Sequence, residues 1–491
     1  MTETSDPPVS SRLARGALLM SVISVFMRAS SLLAQLVLGR ILLQEDFGLF
    51  AMALGFTNVA ASLRSVLQPV LIDLLEHDTN GFERTYRTTM VSVWTLALLG
   101  ASLAGFVAEI LDEPDLRWLL VTLLLIMPFQ IWPVFGLAAL NHNLQFPTVG
   151  RVITAGVIAR YGALVGTALL GVGPYCFAFA TGSAMLTECF LLRKQISVSP
   201  GVLTKRTLNH LKRATDTIFG RLPRRWIWLS AIALSLTISG DYLAASTSPR
   251  LDTMTLGLYY FAYTLTGAFH QPITLAANTV LVPGFVSLTD IEQRRARLLE
   301  VLKVATVIGV LLFNSIAVVL APMVSLLWSG KWDATIPAAL GFLFLAPVQA
   351  LHPIAWAITR GTGRWNLYFT AILTNGVAVV VAAAVGARSG SLTTLVASVV
   401  ITYSVVTLVT LGRLARALEA PVGRVLLIAV SPWLAGIPGL VVANSLNPLN
   451  DPTLGPSIVA AGAYAAVTLI WVVFPNRKLL QGLLATTLRK R

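Results

Sequence analysis

Charge is scarce in this chain. Asp, Glu, Lys and Arg make up 12% of its 491 residues, about half of the roughly 25% found in ordinary soluble domains. Cysteine is scarcer still, with only Cys176 and Cys189, both in one apolar segment. On a helix those two stand about 20 Å apart, beyond disulfide reach, so no disulfide framework is expected. There is no metal-ligand cluster, no Walker loop, no HExxH zinc motif and no G-x-S-x-G elbow. No cofactor motif and no paired carboxylates at depth are seen either. These absences argue against an enzyme and exclude a soluble globular domain, a disordered chain and a collagen-like polymer. What remains is apolar: 56% of the residues are hydrophobic and the mean hydropathy is +0.76. The expected fold class is an all-α polytopic membrane protein.

A spanning helix needs about 20 apolar residues. Fourteen apolar segments are expected to span, at about 16–39, 47–72, 88–109, 117–140, 150–171, 174–192, 226–245, 255–287, 300–327, 335–358, 366–386, 391–411, 424–443 and 456–474. The first is too long for a removable signal and contains Arg28. Alternating from a cytoplasmic N-terminus puts 28 of the 36 Lys and Arg residues inside and 5 outside, with Arg28, Arg64 and Arg160 left within spans. That asymmetry predicts an N-in, C-in topology. The net charge of +14 is therefore mostly a topology signal. The basic residues are scattered over eight short segments, which argues against a nucleic-acid face. They also attract the anionic headgroups of membrane lipids.

The longest polar stretch, 193–225, divides six spans from eight. Phe47-Gly48-Leu49-Phe50 opens the second span and Leu256-Gly257-Leu258-Tyr259 the eighth, while Pro128-Phe129-Gln130 sits in the fourth and Pro347-Val348-Gln349 in the tenth, both pairs six spans apart. Duplication in one orientation and chance matching of short motifs both account for this. Duplication gives two pseudo-symmetric six-helix lobes plus a C-terminal helix pair. The expected organisation is a cytoplasmic tail at 1–15, an N-lobe at 16–192, a basic loop at 193–225, a C-lobe at 226–411, a helix pair at 412–475 and a basic tail at 476–491. That last tail either lies on the inner membrane surface or frays.

Polar groups inside spans are the informative residues. An arginine at a helix centre costs about 2.5–3.5 kcal/mol on insertion scales, so Arg28, Arg64 and Arg160 are expected to face a wet cavity. Ser21, Ser24, Arg28, Ser31 and Gln35 form one stripe on the first span, and Thr57, Arg64 and Gln68 one face of the second. Asp73 and Glu188 read as interface residues at helix ends, which leaves the first lobe with an uncompensated positive interior. In the second lobe, Asp241 near a span end and His270 in a stripe with Tyr263, Thr266, Thr274 and Asn278 are candidates for coupling or gating. For Asp241 a helix-end role stands beside that reading, and for His270 simple packing.

Arginine forks match phosphate and carboxylate geometry. Arg28, Arg64 and Arg160 with Ser24, Ser31, Gln35 and Gln68 thus suit a polyanionic head bearing a hydroxyl-rich body, such as a lipid-linked oligosaccharide. An ion-coupled exporter of small drugs would want an acidic cavity. A polysaccharide polymerase or ligase would want a large external loop, and the longest external loop spans only about 444–455.

Leu38-Gly39-Arg40-Ile41-Leu42, then Glu45-Asp46-Phe47-Gly48-Leu49-Phe50-Ala51-Met52-Ala53, resembles the Wzx-type polysaccharide transporter family of the MOP flippase superfamily. Leu256-Gly257-Leu258-Tyr259-Tyr260-Phe261-Ala262-Tyr263 and Val280-Leu281-Val282-Pro283-Gly284-Phe285 are similar to it as well. The resemblance implies a two-lobed, V-shaped bundle working by alternating access in a bacterial inner membrane. It implies export of undecaprenyl-pyrophosphate-linked oligosaccharide for lipopolysaccharide or exopolysaccharide. A polysaccharide polymerase and export machinery are the implied partners.

Overall fold

The computed structural model describes residues 9–77, 79–196, 225–446 and 454–473. The N-terminal MTETSDPP stretch, nearly all of the 193–225 loop and the tail after 475 lie outside the described residues.

In lipid every backbone amide and carbonyl must be satisfied within the chain, and among the described residues the answer is helix throughout. The elements are α1 (Val9–Ile41), α2 (Gln44–Thr57), α3 (Val59–His77), α4 (Thr79–Ile110), α5 (Leu116–His142), α6 (Phe146–Leu169), α7 (Tyr175–Ile196), α8 (Arg225–Ser246) and α9 (Thr253–Ala276). A π-helical turn (Ala277–Leu281) leads into α10 (Val282–Val286), followed by α11 (Ile291–Trp328), α12 (Ile336–Gln349), α13 (Leu351–Gly361), α14 (Trp365–Ala387), α15 (Leu392–Ala417), α16 (Val422–Leu446) and α17 (Leu454–Val473). All fourteen expected segments are helical. Among the described residues, eleven helices qualify as spans by length and hydropathy, or up to twelve with the bent pair α2–α3 taken as one; segments 255–287 and 456–474 are not among them.

The side-chain distribution is that of a membrane bundle. α4 buries Ala97, Ala104 and Ala108 and exposes Leu98, Leu103, Phe106 and Ile110. Small residues let helix backbones approach, and large apolar ones face acyl chains. Tight turns join the helices. The amides of Gln145 and Ala420 close back on the carbonyls of Leu140 and Ala415, both five residues earlier, at 2.9 and 2.8 Å. Leu144 and Glu419 between them take left-handed φ values of 55°, the αL helix ending.

Contacts divide the chain into two compact units, Met1–Gly257 and Leu258–Arg491. In the first, α5 is central and packs on α2, α3, α4, α6 and α7, while α1 lies along α6. α8, which follows the 193–225 loop, packs on α2 and α3. A Cβ on Gly55 would stand 3.0 Å from Leu243 Cβ, so α8 sits close against α2. The duplicated glycines also meet within this unit. A Cβ on Gly48 would fall 1.9 Å from the Thr253 carbonyl oxygen, and one on Gly257 1.9 Å from that of Gln44. Each glycine thus touches the residue four before the other, so the two helix starts cross at close backbone contact.

In the second unit α11 packs on α12, α16 and α17, and α15 on α12, α14 and α16. The core there joins Leu298 and Leu302 of α11, Ile354 and Ile358 of α13, Leu411 and Leu414 of α15, and Val425 and Ala429 of α16. α17 is keyed to α11 by buried Tyr464, whose hydroxyl accepts from Asn314 Nδ2 at 2.9 Å and donates to the Val310 carbonyl at 3.1 Å.

Candidate functional site

Arg64 is the best-defined member of the predicted site. Its helix, α3, begins after a 48° bend from α2. No proline causes the bend. The Thr57 hydroxyl donates to the Ala53 carbonyl at 2.8 Å, a back-bond that often bends helices. Thr57 is buried at this bend, while Arg64 and Gln68 follow it on α3. Arg64 reaches away from α3 to α7 and α5. Its Nη2 donates to Glu188 Oε2 at 2.8 Å, and Nη1 lies 3.5 Å from both the Gln130 carbonyl oxygen and the Met185 sulfur. Glu188 is nearly enclosed, with 9% of its side chain exposed against 24% for Arg64. Gly156 of α6 makes room for it: a Cβ there would be 3.2 Å from Glu188 Oε1.

This pair corrects the expectation of a first lobe without an acid at depth. Glu188 is buried and paired with Arg64. Asp241 adds to the correction. It is buried on α8, which packs in the first unit, and Oδ1 accepts the Tyr242 amide at 3.0 Å. The side chain of Asp73 lies outside the described residues.

Arg28 and Arg160 belong to the α1–α6 pair. On α1, Ser24, Arg28, Ser31 and Gln35 are all half-buried. Ile23 and Ala34 are buried and Val25 and Leu33 exposed, so the polar stripe runs along the border of the packed face. Tyr161 of α6 is within electrostatic reach of Arg28. Arg160 is exposed and makes no hydrogen bond or ion pair among the described residues. It lies one turn along α6 from Gly156, hence one turn from the niche that holds Glu188. Gln68 is half-buried on α3, one turn beyond Arg64. Side chains of Ser21 and Asn278 lie outside the described residues.

In the second unit the His270 ring packs on Phe313 of α11 at 4.5 Å, and its buried Nε2 has no hydrogen-bond partner among the described residues. The neighbouring hydroxyls serve their own helix, Thr266 donating to Ala262 and Thr274 to His270 through backbone carbonyls. His270 thus sits as a packed ring. Sequence reasoning missed His352 of α13. It is fully buried, with Nδ1 2.9 Å from Thr407 Oγ1 and the ring against Trp356 and Tyr403. A cavity of about 480 Å³ lined by Arg295, Leu299, Glu419, Ala420, Pro421 and Arg424 contains none of the predicted residues. Cys176 and Cys189 are both free.

Residues 37–337 match the model of a family described as polysaccharide biosynthesis protein. The lipopolysaccharide biosynthesis protein WzxC of Escherichia coli K12 is 22% identical over 456 residues, 88% of this chain and 87% of that one. Among solved structures, the lipid II flippase MurJ in an inward closed conformation aligns with a TM-score of 0.68 at 13% identity, over 94% of this chain and 100% of its own. A MOP superfamily transporter from Pyrococcus furiosus aligns with a TM-score of 0.51 at 14% identity, over 83% and 95%. The chain belongs to the polysaccharide biosynthesis protein family and shares its fold with the lipid II flippase MurJ and a MOP superfamily transporter.

Proposed function

We propose that the protein moves an undecaprenyl-pyrophosphate-linked oligosaccharide from the inner to the outer leaflet of a bacterial inner membrane, for lipopolysaccharide or exopolysaccharide synthesis. The observation that carries this reading is the set of three guanidinium groups on apolar helices of one unit, Arg28 on α1, Arg64 on α3 and Arg160 on α6. Glu188 stands against Arg64, and guanidinium groups on three helices of one unit suit the several oxygens of a diphosphate. Ser24, Ser31, Gln35 and Gln68 offer hydrogen bonds to sugar hydroxyls, and the prenyl chain stays in lipid. The family match and the likeness to a lipid II flippase support a lipid-linked substrate. The 28-to-5 distribution of basic residues supports an N-in, C-in orientation. An interior-negative potential helps, since each negative charge moved outward gains about 2.3 kcal/mol per 100 mV. The downstream partners are a polysaccharide polymerase and export machinery. The protein does not itself make or break glycosidic bonds in this account.

One observation favours a second reading. Glu188 and Asp241 are buried acids in the first unit, as an ion-coupled exporter of small molecules would need. The Pyrococcus furiosus transporter is described as having a binding pocket whose reversed polarity suggests a different function, and polarity is the discriminator here too. Reconstitution decides between them. Proteoliposomes should move a fluorescent polyprenyl-diphosphate oligosaccharide to the far leaflet and leave cationic dyes untouched. Dye movement without lipid movement would refute the flippase reading.

A further inference from the structure

The Arg64–Glu188 pair is built in a way that plain structural pairing does not require. The guanidinium gives only Nη2 to the carboxylate, and Nη1 is left with two partners at 3.5 Å, the outer limit of a hydrogen bond. Arginine–carboxylate pairs that serve stability commonly engage both nitrogens. The burial is also lopsided: Glu188 is sealed and Arg64 retains 24% exposure, so an incoming group can reach the cation and not the anion. Finally, the carboxylate has a place to stand. Glu188 already lies close against α6, where a Cβ on Gly156 would stand 3.2 Å from its Cγ and Oε1, so the carboxylate keeps a seat on α6 when Arg64 turns to another anion.

We propose that Glu188 is an internal anion that occupies Arg64 in the empty protein and must be displaced before a headgroup phosphate binds there, which makes it a charge threshold favouring a diphosphate over a monophosphate. The proposal rests on the reading of Arg64 as a headgroup contact. Its logic is an exchange. A singly charged ligand replaces one carboxylate with another anion of similar charge and leaves Glu188 without its cation. A more highly charged ligand gains attraction from Arg64, and from Arg160 one turn along α6 from Gly156, beyond what the carboxylate supplied. Glu188 is in this sense a positioning residue, acting on the ligand through Arg64.

The experiment measures binding of a polyprenyl monophosphate and of the diphosphate of equal chain length to full-length protein in nanodiscs. Wild type is compared with Glu188→Gln, Glu188→Asp and Arg64→Gln. Glu188→Gln should tighten both ligands and the monophosphate more, lowering the diphosphate preference by about tenfold, the scale of one charge interaction at a water-like dielectric. Glu188→Asp keeps the charge on a shorter arm and should give an intermediate preference, so one readable variant suffices if the other does not insert. An unchanged preference in either, or equal weakening of both ligands as a purely structural role predicts, overturns the proposal. Arg64→Gln separates the two layers. If it weakens the diphosphate while the Glu188 variants leave the preference unchanged, the headgroup reading stands and the threshold falls. If it leaves diphosphate binding unaltered, the headgroup reading fails and the threshold with it.

Discussion

Removing Arg64 should strand Glu188, and the size of the effect follows from the geometry. The charged atoms are 2.8 Å apart, on side chains 24% and 9% exposed. At an effective dielectric of about 20, charges at that separation attract by about 6 kcal/mol before desolvation is subtracted. Breaking a buried pair by deleting one partner costs about 3–5 kcal/mol, because the other charge is left uncompensated. Glu188 is the more enclosed member, so Arg64→Leu should cost about 3 kcal/mol, near the lower end of that range. Glu188→Leu should cost less, about 2 kcal/mol, since the Arg64 head keeps access to water. The double variant removes both charges together and should return close to wild type. A double-mutant cycle from reversible unfolding in mixed micelles should then give a coupling of at least about 2 kcal/mol. Additive losses, with a coupling below about 0.5 kcal/mol, would refute the assignment of Glu188 as the counter-ion of Arg64.

Three further outcomes are expected. Arg28→Ala should abolish polymer export in cells while the protein still inserts, checked by complementation beside membrane immunoblotting; normal export would make Arg28 structural. Gly48→Ala and Gly257→Ala each place a Cβ 1.9 Å from a carbonyl oxygen of the facing segment. Backbone cannot yield as a side chain does, so each should cost about 3 kcal/mol or more and show as loss of the monodisperse peak in detergent chromatography. Tyr464→Phe leaves Asn314 Nδ2 without its acceptor and should lower stability by about 1 kcal/mol; a loss above about 3 kcal/mol would mean that the α11–α17 contact carries more than these hydrogen bonds.

The helices were legible because every span in lipid requires its own apolar run, and a run of that length has few other uses. The bend after Thr57 was not. It depends on a hydroxyl choosing its own helix over a neighbour, with no proline to announce it. The place of α8 was hidden for another reason. A polar loop marks where the chain leaves the membrane and says nothing about which helices the next one packs against, here α2 and α3. Of the site, the three arginines stood out because an intramembrane cation is rare. Their electrostatic company did not. Glu188 lies 124 residues from Arg64 and a little over one turn from Arg193, so along the sequence it looks like a helix-end residue. Only packing brings it under α3. The one local trace is Gly156, whose missing side chain makes the niche, but a lone glycine on a membrane helix has many explanations. His352 escaped notice because a single histidine among apolar residues carries no pattern; its bond to Thr407 spans 55 residues.

The central claim is that an anionic lipid headgroup is received by the arginine-bearing helices of the first unit. The most direct measurement uses a polyprenyl diphosphate with a photoreactive diazirine beside the phosphates, cross-linked in nanodiscs and mapped by mass spectrometry. Adducts on α1, α3 and α6 that fade on competition with unlabelled diphosphate are the predicted result. Adducts confined to the cavity around Arg295 and Arg424, or spread along lipid-facing surfaces without competition, would contradict it.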